Sequence, residues 1–238
     1  MSESAAALTL AKVSKQYGAV TALRPLSLSL PIGAFTLIVG PNGSGKTTLL
    51  RLVAGLCQPT RGQVLVRGKD PVHEKRDVGL VSHQPMFYDD LTCRENLLFF
   101  ARLYRVEPGP DRVDDALEWA GLQPFRERPG SDLSRGLKQR LALARATLHN
   151  PAVLLLDEPF TGIDGKGATA VLGQLQGFRD RGATILIVTH HFEESAELVD
   201  SLIALRTSGH HYVGPRPGGS DADLKAECEA LLTEGAQR

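Results

Sequence analysis

An α/β fold, with an antiparallel β layer beside the main sheet and a helical subdomain inserted into it, is predicted by three features of the 238-residue sequence. The apolar run Phe35-Thr36-Leu37-Ile38-Val39 empties into Gly40-Pro41-Asn42-Gly43-Ser44-Gly45-Lys46-Thr47, a strand followed by a glycine-rich loop. Two further runs, Val153-Leu154-Leu155-Leu156 and Thr184-Ile185-Leu186-Ile187-Val188, are continuously apolar, as parallel strands buried on both faces are. Between these features, residues 91–125 change to a helical pattern.

The elements follow in chain order. Residues 8–13 and 26–30 are β-like runs around a turn-rich segment at Gly18, which suggests the antiparallel layer. After the glycine-rich loop, Leu49, Leu52, Val53 and Leu56 recur at helical spacing, predicting a helix over residues 46–56. Residues 63–66 and 78–81 read as strands. Thr92 is the expected N-cap of the next helix, with Glu95 three residues on as its capping-box partner. Pro108-Gly109-Pro110 interrupts the helical pattern, and a second helix is expected over residues 111–120. Ser134 opens an amphipathic helix, and another is expected over residues 167–179. Gly214-Pro215-Arg216-Pro217-Gly218-Gly219 has the composition of a linker, after which Ser220 is expected to cap a short helix with Asp223. Leu224, Cys228, Leu231 and Leu232 share one face of that helix, which must dock on the core or on a partner.

Composition narrows the function. The length suits one large domain or a domain with a subdomain. Lys plus Arg is 27 and Asp plus Glu is 27, so no global positive field draws the chain to nucleic acid, and no nucleic-acid partner is expected. No apolar stretch approaches the roughly 20 residues that span a bilayer. The start, Met1-Ser2-Glu3-Ser4-Ala5, lacks the charged and apolar regions of a signal peptide. Cys57, Cys93 and Cys228 are widely spaced and read as free thiols of a reducing cytoplasm.

Three clusters carry chemistry. The loop fits G-x-x-x-x-G-K-[ST], in which glycines let successive backbone N–H groups face one anion while Lys46 and Thr47 serve terminal phosphates and magnesium. The helix beginning there adds its positive end. Asp157 and Glu158 close a buried strand at its carboxyl end, where a sheet delivers groups to a ligand. In a magnesium–nucleotide site Asp157 would hold the ion and Glu158 would polarise the attacking water. On their own the two also suit a solvated strand end, and Asp157 a local cap. Third, Leu133-Ser134-Arg135-Gly136-Leu137 is a Ser-Gly turn opening a helix, which implies a second anion site.

In this order the motifs resemble the nucleotide-binding domain of ATP-binding cassette (ABC) proteins, with a P-loop NTPase core, and the resemblance covers residues 8–213. It implies an ATPase that uses ATP and Mg2+, with domain limits of 1–213, a helical subdomain at about 86–150, and 214–238 as linker and helix. Gly40, Pro41, Asn42, Gly43, Ser44, Gly45, Lys46, Thr47 and Thr48 would hold ATP, and Thr47, Gln84 and Asp157 the metal. Glu158, Gln84 and His190 would be catalytic, His190 as the switch histidine that touches the γ-phosphate, with His191 a bystander. Tyr17 resembles the aromatic residue that stacks on adenine; the other reading is an edge-strand tyrosine. Ser134 and Gly136 belong to the signature motif, which contacts the γ-phosphate held by another subunit, and Asp164 would reach across the dimer interface. Arg135 and Leu137 depart from the commonest Leu-Ser-Gly-Gly-Gln form; Arg135 either adds positive charge or points into solvent.

The resemblance further implies a head-to-tail homodimer formed on ATP binding and separate transmembrane subunits. The chain would be cytoplasmic, peripheral to the inner face of the cell membrane. Residues 82–97 are similar to exporter-type ATPases, in particular the subunit of haem export in cytochrome c maturation, so an exporter is expected. Phe87, Tyr88 and Leu91 either form an apolar patch for the membrane partner or pack inside the helical subdomain. The alternative function is a soluble ABC ATPase that acts as a scaffold, for example in iron–sulfur cluster assembly.

Overall fold

Residues 6–82, 86–217 and 223–233 are described by the computed structural model. Strands β1 (Ala6–Tyr17) and β2 (Val20–Pro31) form an antiparallel hairpin in which Tyr17 pairs with Val20 across the turn at Gly18. Leu8, Leu10 and Val13 face Leu26, Leu28 and Leu30 in one buried layer, so the alternation expected of a sheet covered on one face is present. Strand β3 (Phe35–Val39) is buried along its whole length and leads through the glycine-rich loop into α1 (Lys46–Val53).

Helix α1 stops three residues before the expected end at Leu56. Gly55 takes φ +66, and the N–H groups of Gly55 and Leu56 close on the Leu52 and Arg51 carbonyls, a left-handed stop that leaves Leu56 exposed. Strand β4 (Arg61–Val66) then joins β1, giving the small sheet the order β2-β1-β4, and β5 (Val78–Val81) enters the main sheet.

Three helices separate β5 from its neighbour: α2 (Cys93–Tyr104), α3 (Gly109–Trp119) and α4 (Arg135–Thr147). Thr92 N donates to Glu95 Oε2 at 2.8 Å and Glu95 N to Thr92 Oγ1 at 3.1 Å, the capping box that the spacing predicts. Helix α3 begins at Gly109 rather than Asp111 because Pro110 is tolerated in a first turn, where its missing N–H costs nothing. Leu97, Phe100, Val113, Leu117, Leu141 and Leu148 give these helices a core of their own.

The chain continues through β6 (Val153–Asp157), α5 (Gly165–Asp180), β7 (Thr184–Val188), the short α6 (Phe192–Ser195), β8 (Ser201–Ala204), β9 (Tyr212–Pro215) and α7 (Leu224–Thr233). The main sheet has the order β5-β6-β7-β3-β8-β9, parallel except for β9. Gly214 and Pro215, expected in a linker, therefore lie in a strand. An edge strand accepts proline because its outer side needs no N–H. Helix α7 docks on the core: Leu224, Cys228 and Leu231 are buried against the main sheet, and Arg216 Nε meets Glu227 Oε2 at 3.2 Å. The expected cap Ser220 lies outside the described residues, while Asp223 Oδ1 accepts from Lys225 N at 2.9 Å. No helix among the described residues is long and apolar enough to cross a membrane.

His149, just past α4, gives the fold a pH dependence. Its Nε2 meets the Val78 carbonyl at 3.2 Å, and burial pushes its pKa down to about 4. The unfolded chain takes up the proton near the ordinary value of about 6.5, so stability is complete above that value and falls as the pH drops to about 4. The full loss is about 3 kcal/mol. Thermal melts across this window should show a steeper decline for the wild type than for His149→Gln.

Candidate functional site

The loop after β3 is shaped by close approach. A Cβ on Gly40 would stand 2.5 Å from the Leu205 carbonyl oxygen, and one on Gly45, at φ +104, would stand 2.6 Å from that of Ala22. Glycine is therefore the only residue that fits both the left-handed turn and the neighbouring backbone. Helix α1 starts with no side-chain cap and no acidic residue in its first turn, so its first N–H groups remain available to an anion. Lys46 Nζ donates to the carbonyls of Gly40 at 2.7 Å and Pro41 at 3.1 Å, folded along the loop it would otherwise leave for a phosphate. Burial lowers the Lys46 pKa, opposed by the charges of Asp157 and Glu158. Ser44 Oγ is buried with no hydrogen-bond partner among the described residues. An orphaned hydroxyl, a lysine and unpaired helix N–H groups form a donor set that fits a polyphosphate.

The acidic side comes from the ends of β6 and β7. Thr47 Oγ1 donates to Asp157 Oδ2 at 3.3 Å, bringing together the hydroxyl and carboxylate that a magnesium ion would take. No group of three or more His, Cys, Asp or Glu suited to a metal occurs among the described residues, so phosphate oxygens would complete the coordination of such an ion. Glu158 sits at φ +53, a backbone strain for a side chain of this size, while its N–H is tied to the Val188 carbonyl at 2.8 Å. Its Oε1 lies 3.3 Å from His190 Nε2. Desolvation raises the Glu158 pKa, with His190 opposing it and Asp157 adding to it. His190 is exposed toward solvent, whereas His191 packs edge-on to Phe160 with ring centroids 5.6 Å apart.

Other expected residues occupy distinct places. Tyr17, 48% exposed, ends β1 on the hairpin whose residues Ala22 and Leu23 press on Gly45, and its hydroxyl points to Cys57 Sγ at 3.8 Å. Cys57 is absent from the site expected from the sequence. Its signal, a half-buried thiol after the loop helix, has no motif. Ser134 caps α4, accepting from Leu137 N at 3.4 Å, and a Cβ on Gly136 would lie 2.9 Å from the Gly162 carbonyl oxygen. Arg135 is exposed, and its aliphatic stem covers Gly162. Asp164 caps α5 through Oδ1, which accepts from Gly167 N at 2.8 Å. Gln84 lies outside the described residues. The structure thus brings Lys46, Thr47, Asp157, Glu158 and His190 to one sheet edge. Ser134, Gly136 and Asp164 have their contacts around Gly162 and the start of α5.

A family model described as "ABC transporter" matches residues 23–161. The sulfate/thiosulfate import ATP-binding protein CysA of Synechocystis sp. is 38% identical over 208 residues, covering 85% of this chain and 59% of that protein. The spermidine/putrescine import ATP-binding protein PotA of Spiroplasma citri is 36% identical over 233 residues, covering 95% of this chain and 65% of that protein. The chain spans roughly three fifths of the length of these curated relatives. A solved ATP-binding subunit of an ABC transporter superposes with a TM-score of 0.85 at 26% identity over 94% of this chain and 98% of that one. A bacterial ABC transporter cassette solved as a dimer gives 0.77 at 29% identity over 83% and 94%. The curated relatives are named as importers, so the expectations of an exporter, of haem export and of an iron–sulfur scaffold find no support in them.

Proposed function

The chain belongs to the ABC transporter family, and from that membership we propose that it is the ATP-hydrolysing subunit of a transport complex, driving separate membrane-spanning subunits as a head-to-tail pair of cassettes. The observation that carries this is the meeting of Lys46, Thr47 and Asp157 with the Glu158–His190 pair, 3.3 Å apart, at the carboxyl edge of one sheet. Import replaces export as the proposed direction, supported by the names of the relatives. The chain would be cytoplasmic, peripheral to the inner face of the membrane.

In the mechanism, the phosphates of ATP lie on residues 40–47, with Lys46 turning from the loop carbonyls to the terminal oxygens. Tyr17 offers a ring face to the adenine. Magnesium, taken by Thr47 and Asp157, would neutralise charge on the phosphates. Glu158 accepts a proton from the water that attacks the γ-phosphorus as the bond to the bridging oxygen of ADP breaks. A carboxyl whose pKa is raised is a stronger base, and His190 orients it. The cassette supplies half of the enclosure, and Ser134 and Gly136 of a second copy would close the site against water. Gln84 would report the nucleotide to the helical subdomain.

The membrane-facing surface is proposed around Tyr88. Phe87 and Leu91 are half-buried, Phe87 lying over Gly130 in the helical core, whereas Tyr88 is exposed and meets the exposed Phe99 edge-on at 5.0 Å, and the exposed Leu103 lies one turn along α2 from Phe99. Three large exposed apolar side chains along one side of α2 suit a partner helix. Purified chain with ATP and Mg2+ should release phosphate, and no release would overturn the ATPase assignment. In the native host, Tyr88→Asp with Phe99→Asp should move the chain from the membrane fraction to the soluble one; unchanged membrane association would exclude this patch.

A further inference from the structure

Arg145 is 4% exposed, near the end of α4, and no carboxylate pairs with it among the described residues. Its Nη2 donates to the Leu80 carbonyl at 2.6 Å, and its guanidinium lies 5.2 Å from the centre of the Phe100 ring. Its Nε is buried with no partner among the described residues. Four residues on, His149 reaches the Val78 carbonyl at 3.2 Å and stacks on Tyr104 at 4.1 Å.

The three elements match in period. Phe100 and Tyr104 are one helical turn apart on α2, Arg145 and His149 are four residues apart, and Val78 and Leu80 are alternate residues of β5. Four helical residues rise about 6 Å and two strand residues about 6.6 Å, so two side chains meet two carbonyls in register. Strand β5 is one of the two edges of the main sheet, and there the Leu80 and Val78 carbonyls are met by side chains, as a further strand would have met them. Arg145 and His149 stand in for that strand, backed by the rings of α2.

A buried cation without a carboxylate is costly, and an apolar chain of similar length would fill the space without that cost. We propose that Arg145 is a positioning residue: with His149 it fixes the end of α4 to the free edge of β5, and so fixes Ser134 at the helix's other end. Helix α4 has 13 residues and is about 20 Å long, so a slip at the latch is carried to the serine. The kinetic part of this inference rests on the proposed role of Ser134 in closing a neighbour's site.

The test is Arg145→Met in the full chain, read two ways. Amide exchange at residues 78–82 should quicken about tenfold while residues 154–157 keep their rate, as expected of local rather than global opening. The kcat for ATP should fall about tenfold with KM within about twofold, since the chain's own phosphate loop is untouched, and Arg145→Lys should restore most of it. A folded Arg145→Met with unchanged exchange overturns the latch. Quickened exchange with unchanged kcat overturns the positioning of Ser134. If Arg145→Met does not fold, Phe100→Leu, which removes the ring behind the guanidinium, should shift both readouts the same way, and no shift overturns the inference. A wild type that hydrolyses no ATP defeats the proposed function instead, and the exchange result then decides the latch alone.

Discussion

Glu158→Gln should hold ATP without turning it over, with kcat lower by about 10²- to 10⁴-fold, the contribution of a positioned general base. The substitution keeps the shape of the side chain and a hydrogen-bonding group for His190 at the observed 3.3 Å, but an amide cannot accept the proton of the attacking water. It also removes a negative charge that, with Asp157, would face the γ-phosphate in the proposed site, so ATP affinity should be kept or improved. With hydrolysis stopped, the proposed closed pair of cassettes would have no route to open, and dimers should accumulate with ATP and be visible by light scattering. A persistent monomer that carries bound ATP would defeat the head-to-tail dimer. A variant that still turns over ATP at the wild-type rate would remove Glu158 from the role of base.

Much of this site is legible in the sequence because it is written in local chemistry. Residues 40–47 state their loop through Gly40 and Gly45, where a Cβ would meet neighbouring backbone, and Asp157-Glu158 is announced by the buried strand before it. The Thr92–Glu95 box is likewise a three-residue device. The errors come where partners are distant or signals compete. Leu56 continues the helical period, but Gly55 ends the helix through its left-handed backbone, and the stop signal is the stronger of the two. Strand β9 contains Gly214-Pro215, which by composition alone is a linker; only its pairing with β8 makes it a strand. Arg145 shows what spacing leaves out. A charged residue in an amphipathic helix reads as solvent-facing, yet from Leu141 to Thr147 α4 is buried on every side, between the edge of β5 and α2. Nothing in the spacing of α4 itself reveals that enclosure. The proposed direction of transport is in the same position, since no motif of this sequence states it.

Lys46→Ala should fail in two separable ways. The ammonium now bridges the Gly40 and Pro41 carbonyls at 2.7 and 3.1 Å, and it faces Asp157 and Glu158, whose charges sustain its own against burial. Removing it loses charge-assisted contacts to the terminal phosphates worth about 1.5–3 kcal/mol each, so ATP affinity should fall about 100-fold. It also leaves the acidic pair without its cation, which adds repulsion against the γ-phosphate. The second failure concerns the dimer. If the γ-phosphate is what Ser134 and Gly136 of the other copy grip, a phosphate displaced from its place on the loop presents nothing for them to close on. Raising ATP until the variant is saturated should therefore restore binding but not the dimer. Sedimentation at that concentration decides it: a monomer with ATP bound assigns both roles to Lys46, while normal ATP-induced dimerisation confines the lysine to holding the nucleotide.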